Sequence, residues 1–112
     1  MILFKPQHVE KILRGEKTQT RRLGKKRWNV GAVHQAKTKL FGEPFARLRI
    51  TGVRQEPLDE ISEEDARREG YANSHEYLGA FRKINLAGAA DAHRYWTQLV
   101  WVVDFELVKE AT

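Results

Sequence analysis

The stretch 45-FARLRITGV-53 sets the architecture of the chain. Ala46, Leu48 and Ile50 fall on one side of an extended backbone, and Arg47, Arg49 and Thr51 on the other. That period of two marks a half-buried strand. Gly52 breaks the alternation and Val53 resumes it out of phase. One extra residue in a strand makes a β-bulge, and small barrels use bulges to bend. The strand is therefore expected to belong to a sheet that curls.

Upstream, Met1 to Phe4 reads as a short strand, and 6-PQHVEKILRG-15 as a helix. Pro6 suits the first helical position, where its missing N–H goes unused. Val9, Ile12 and Leu13 form an apolar stripe, and Gly15 suits the left-handed position that ends a helix. Lys17 to Arg22 reads as a short strand, residues 23–29 as a basic loop, Val33 to Leu40 as a strand, and 41-FGEP-44 as a turn.

Downstream, 62-SEED-65 is a capping box, with Ser62 accepting from the third helical N–H and Asp65 reaching back. Gly70 closes that helix, and 73-NSHE-76 opens another, whose apolar residues are Tyr77, Leu78, Phe81 and Ile84. Residues 85–94, small and rich in Ala and Gly, read as loop or one weak turn. In the last strand, Leu99 to Val108, one face carries Leu99, Trp101, Val103, Phe105 and Leu107. Val100 and Val102 make the other face apolar too, so its start is expected to be central in the sheet. The order β-α-β-β-β-α-α-β has no alternating βαβ units. It predicts an α+β fold: a small antiparallel sheet curled into a barrel, with short flanking helices.

A chain of 112 residues, 41% hydrophobic with eleven aromatics, is expected to fold as one domain over residues 1–112. It has no cysteine, which excludes disulfides and thiolate metal sites and suits a reducing, cytoplasmic setting. The apolar run before Lys5 is far shorter than a signal sequence, and no run approaches a membrane span. The net charge of +5 is unevenly spread: residues 1–56 carry a balance of +10 and residues 57–112 one of −5. Seven Lys or Arg fall between Arg14 and Arg27 against one acid, Glu16. A basic half of this kind favours a polyanionic partner such as a nucleic acid or nucleotide.

No phosphate loop, dinucleotide fingerprint, zinc helix or nucleophile elbow is present, so no cofactor is expected. The four histidines (His8, His34, His75, His93) lack metal-ligand spacing, so no metal is expected either. Two features carry potential chemistry. In 17-KTQTRR-22 a desolvated lysine can activate a threonine hydroxyl, or the cations can simply hold phosphate or face solvent. In a regular strand Lys17 and Thr20 point to opposite faces, so a shared pocket requires a bend between them. The second feature is Glu69, on the helix face that carries Ala66. That face is expected to turn inward, so Glu69 is either protonated or paired, most simply with an arginine. Glu63, Glu64 and Asp65 read as first-turn acids complementing the helix dipole, and the helix 62–69 can also be read as an acidic docking surface. Trp28, Tyr71, Tyr77, Tyr95 and Trp96 are rings that can stack on a base. Of these, Tyr77 reads as core, and Trp28, between the basic loop and Gly31, as the most exposed.

Taken in order, these segments resemble the ASCH domain family, a branch of the PUA-like superfamily. The resemblance rests on 12-ILRGEKTQTRR-22, 30-VGAVHQ-35, 45-FARLRITGV-53, 61-ISEEDARREGY-71 and 95-YWTQLVWVVDFEL-107, over roughly residues 2–107. Ala32 stands where the family often has an acid, and residues 79–96 do not align with its deacetylating members. The resemblance implies a small PUA-like mixed or antiparallel β-barrel, with two to four short flanking helices and a cleft lined by the GxKTxT segment. It implies binding of RNA or a pyrimidine nucleoside, and in some members hydrolysis of the acetamide of N4-acetylcytidine. Carried over, Lys17 is the base, Thr20 the nucleophile and Glu69 the proton donor. Thr18, Arg21, Arg22, Lys25, Lys26, Arg27, Trp28 and Tyr71 are then the residues expected to hold the substrate or RNA. The alternative is a non-catalytic or RNA-cleaving module using the basic loop 14–27.

Overall fold

The alternating stretch forms the first half of the longest strand, Ala46–Pro57. In the computed structural model, which describes residues 1–85 and 97–109, five strands form one sheet. They are β1 (Ile2–Leu3), β2 (Gln19–Arg22), β3 (Val33–Lys37), β4 (Ala46–Pro57) and β5 (Leu99–Leu107), in the order β1-β3-β4-β5-β2. All neighbours are antiparallel except β1 and β3, which run parallel. Along β4, Leu48 and Ile50 are buried while Arg47, Arg49 and Thr51 are exposed. The β4–β5 register slips between Ile50 and Gly52, at the break in the alternation. The sheet curls into a half-barrel. Its two edge strands are tied by a side chain: Arg22 Nη2 on β2 donates to the Leu3 carbonyl on β1 at 2.7 Å.

Strand β5 is buried on both faces, as its continuous apolar run requires. Val103 and Phe105 join a core with Ile2, Phe4, Ile12, Trp28, Ala36, Leu48 and Ile50. Val100 and Val102 face a second core of Leu58, Ile61, Ala66, Tyr77 and Phe81. That second core lies beneath helices α2 (Glu63–Arg68) and α3 (Ser74–Asn85).

Several local expectations change in the structure. The helix expected over residues 6–15 is a 3-10 turn, Pro6–His8, running into a short α1 (Val9–Leu13). Of its stripe only Ile12 is fully buried, and Leu13 is exposed. Strand β3 stops at Lys37, before the expected Leu40. Ser62 Oγ does accept from the Asp65 N–H at 3.0 Å. The Asp65 carboxylate, however, turns away from the cap to Arg21, Arg54 and Arg68. Trp28 corrects an expectation outright: its ring, read as exposed, is 7% exposed and sits in the first core. A basic loop flanks it in sequence, but the hydrophobic effect folds a large ring inward wherever the chain can reach a core. Tyr95, Trp96 and nearly all of the segment read as loop over 85–94 lie outside the described residues. Among the described residues, no helix is long and apolar enough to cross a membrane.

Candidate functional site

The turn after α1 positions the lysine. Gly15 adopts φ +77°, and the chain doubles back so that the N–H groups of Glu16 and Lys17 both donate to the Lys11 carbonyl, at 2.8 and 3.1 Å. Lys17 thus precedes the regular strand, which begins at Gln19. The bend that a shared pocket requires is supplied here, and Lys17 and Thr20 line the same cavity. Glu69 arrives from the opposite side as the C-cap of α2, and Gly70 at φ +95° then turns the chain away.

The cavity has a volume of about 300 Å³. Lys17, Thr20 and Glu69 all line it, and they are 3%, 5% and 2% exposed. Lys17 Nζ donates to Glu69 Oε1 at 3.0 Å, to the Glu69 carbonyl at 2.8 Å and to the Gln19 carbonyl at 3.0 Å. An ammonium has three N–H groups, so all are committed. The other Glu69 oxygen, Oε2, accepts from Arg21 Nη1 at 2.9 Å. Thr20 Oγ accepts from Arg22 Nε at 3.0 Å and makes no hydrogen bond to Lys17. Glu69 is therefore paired, with a lysine and an arginine at once.

Behind the cavity, Arg21 is anchored by two more carboxylates, Glu56 at 2.6 Å and Asp65 at 3.1 Å. Its guanidinium also lies 5.8 Å from the Tyr77 ring centroid. Asp65 in turn accepts from Arg54 at 2.7 Å and Arg68 at 2.6 Å. A buried charge network is costly unless every member is satisfied. Here the network fixes Arg21, and through it the orientation of the Glu69 carboxylate.

Burial disfavours charge, and the site shows it. Desolvation pulls Lys17 below the ordinary lysine value and outweighs the opposing pull of Glu69. His8 falls to about 4, through burial and the nearby Lys17, Lys11 and Arg22, so its imidazole is neutral near neutral pH. Burial pushes the Tyr77 and Tyr71 phenols up.

Of the residues singled out from the sequence, Arg21, Arg22 and Tyr71 also line the cavity. Thr18, Lys25, Lys26, Arg27 and Trp28 do not. The backbone of Thr18 ties α2 to the sheet: its N–H donates to Arg68 O at 2.8 Å and its carbonyl accepts from Phe105 N–H at 2.9 Å. Lys25, Lys26 and Arg27 are exposed on the loop. Sequence reasoning missed His8, Lys5 and Thr38 as site residues, and favoured the core over base stacking for Tyr77; all four border the cavity. A signal existed for His8, which stands four residues before the buried Ile12 and so shares its helical face. Among the described residues, no cluster of side chains is suited to a metal ion.

A curled half-barrel with this cleft is consistent with the PUA-like class of folds. The ASCH domain profile matches residues 1–109, and the chain belongs to the ASCH domain family. Among solved structures it is similar to the ASCH domain from Lactobacillus crispatus JV V101, with 23% identity and a TM-score of 0.71, over 88% of this chain and 69% of that one. It is also similar to protein EF3133 from Enterococcus faecalis V583, with 21% identity and a TM-score of 0.70, over 96% and 82%. No curated protein matches the sequence.

Proposed function

We propose that the cavity accepts a pyrimidine nucleoside, free or within RNA, and hydrolyses the acetamide of its N4-acetyl group. The observation that carries this reading is the common wall: an amine, a hydroxyl and a carboxyl group from separate elements border one buried hollow. The family, linked to RNA binding, and the resemblance of the GxKTxT segment to its deacetylating members support the substrate class.

The resting ion pair holds its proton on Lys17. Transfer along the 3.0 Å bond to Glu69 Oε1 leaves an amine and a carboxylic acid. Net charge is unchanged, and burial already pulls Lys17 below the ordinary lysine value. Once neutral, Lys17 is free to turn toward Thr20 and take its hydroxyl proton as Oγ bonds to the acetyl carbonyl carbon. Arg22 Nε, already 3.0 Å from Oγ, favours negative charge developing there. Collapse breaks the C–N bond, and the Glu69 acid protonates the departing amine. The Glu69 carboxylate then deprotonates water, which attacks the acetyl ester on Thr20. Acetic acid leaves, and Lys17 returns the proton to Oγ.

The test is acetate release from N4-acetylcytidine by the purified chain. Thr20→Ala is expected to abolish turnover and retain binding.

One observation favours a second reading, a non-catalytic RNA-binding module. Lys25, Lys26 and Arg27 project from the loop, and none of them makes an ion pair among the described residues. A protein that releases no acetate but binds RNA with steep salt dependence, lost on charge reversal at Lys25 and Lys26, fits that reading instead.

A further inference from the structure

Arg22, half-buried, differs from the two buried cations of the cavity. Lys17 meets Glu69, and Arg21 meets Glu69, Asp65 and Glu56. Among the described residues, no carboxylate oxygen lies within 4.0 Å of Arg22. Its guanidinium is nevertheless fixed on three sides. Nε donates to Thr20 Oγ at 3.0 Å, Nη2 donates to the Leu3 carbonyl at 2.7 Å, and the Phe4 ring centroid lies 5.2 Å from Cζ. The remaining nitrogen, Nη1, has no acceptor among the described residues, and Arg22 borders the cavity. Lys5 borders the same cavity, is exposed, and has no acidic partner among the described residues.

The balance of the wall points the same way. Lys5, Lys17, Arg21 and Arg22 face one carboxylate, Glu69. Asp65 and Glu56, outside the lining, pair Arg21 from behind, which leaves Arg22 and Lys5 as the lining cations without a carboxylate partner among the described residues. Burial is the main cause of the His8 depression, and Lys17, Lys11 and Arg22 add to it, so positive charge is felt in the hollow as well. A half-buried guanidinium without a counter-charge is costly, and an incoming anion relieves that cost. A planar fork held in place also loses little freedom when it binds.

We infer that the ligand of this cavity is anionic: a phosphorylated pyrimidine whose phosphate is taken by the free Nη1 edge of Arg22, with Lys5 beside it. The inference rests on the nucleoside-site reading above and narrows the substrate from a neutral nucleoside to a nucleotide or a phosphate-bearing strand.

Calorimetric titration of the full chain at about 0.1 M salt tests it, with three probes. These are cytidine, its 5′-monophosphate, and a trinucleotide carrying cytidine at its centre, the deacetylated forms, which the wild-type chain does not turn over. The monophosphate is expected to bind about tenfold more tightly than the nucleoside, or better. A trinucleotide that binds more tightly still assigns the phosphate to a strand; one that binds more weakly assigns it to a free nucleotide. Arg22→Gln is expected to bring the monophosphate-to-nucleoside ratio to within about twofold of unity, and Arg22→Lys to restore part of it. Because Arg22 also ties β1 to β2, a thermal melt accompanies each variant. If Arg22→Gln does not fold, the wild-type ratio and Arg22→Lys decide. Equal binding of nucleoside and monophosphate by the wild-type chain overturns the inference and leaves the proposed function standing. A ratio that survives Arg22→Gln in a folded protein overturns the assignment to Arg22. If none of the three probes binds, the nucleoside-site reading falls with it.

Discussion

Lys17 Nζ and Glu69 Oε1 meet at 3.0 Å across 52 residues of sequence, with each side chain only 3% exposed. Two turns make the meeting possible, the left-handed Gly15 ahead of Lys17 and the left-handed Gly70 after Glu69. The pair is a structural liability unless it is complete. Removing one partner of a buried pair strands a charge, whereas replacing both by apolar groups is often neutral. Glu69→Gln is therefore expected to cost about 3–5 kcal/mol, read from urea unfolding at constant slope. The double variant Lys17→Met, Glu69→Leu is expected to recover most of that loss while remaining inactive. Glu69→Gln as stable as the wild type would show that the pair is not buried in solution.

His8 supplies a pH signature. Its pKa is about 4 when folded, against an ordinary 6.5. Between those values the unfolded chain takes up a proton that the folded chain refuses. Stability is thus expected to fall as pH drops from about 6.5 toward 4, by at most about 3 kcal/mol, and to be insensitive to this group above that window. The Asp65 carboxyl does not account for the same window, since it is held below its ordinary 3.8 despite its burial, by Arg68, Arg21 and Arg54. Urea midpoints at pH 4.5 and 7.5 are the measurement, and His8→Gln is expected to bring the two together. An unchanged slope in that variant would assign the acid sensitivity elsewhere.

Trp28 is expected to behave as a core residue. Trp28→Ala is expected to cost about 3–5 kcal/mol through lost burial and the cavity left behind. RNA affinity, measured well below the variant's melting temperature, is expected to stay within about twofold, since the ring does not face the cleft or the solvent. A large loss of affinity in a stably folded variant would return the ring to the binding surface.

Local signals in the sequence carried the fold. The alternation of residues 46–51, the glycine at the bulge, the Ser62 cap and the left-handed glycines depend on near neighbours in the chain, and each is where its pattern predicts. The order of short motifs was enough to single out Lys17, Thr20 and Glu69, and the three border one cavity. What stayed hidden is set by residues distant in sequence. The inward turn of Trp28 depends on Leu48, Ile50 and Phe105, and the role of Asp65 depends on Arg21 and Arg54. The acid of a capping box normally bonds the nearest free N–H, but Arg21 and Arg54 from the sheet, with Arg68 one turn along the helix, outcompete it. Thr20 and Arg22 stand two apart on one strand face, yet their 3.0 Å bond depends on where the Leu3 carbonyl and Phe4 hold the guanidinium.

Gly70 and Gly15 form a matched pair for separating backbone strain from crowding at the site. Both have positive φ, +95° and +77°, so an alanine at either pays the left-handed cost of about 1–2 kcal/mol. They differ in what the new methyl meets. At Gly15 nothing lies within 4 Å. At Gly70 the methyl would sit 3.3 Å from Lys11 Cδ and 3.6 Å from Lys17 Cβ. Lys11 Nζ also donates to the Gly70 carbonyl at 2.5 Å, so its stem is not free to swing aside. Gly70→Ala is therefore expected to press on the Lys11 stem and shift the turn that follows Glu69, whereas Lys17 stays at ordinary packing distance from the new methyl. Both variants should lose similar stability in urea, but only Gly70→Ala should lower acetate release from N4-acetylcytidine, by about tenfold or more. Equal turnover in the two variants would mean that the turn at Gly70 does not set the position of the Glu69 carboxyl group.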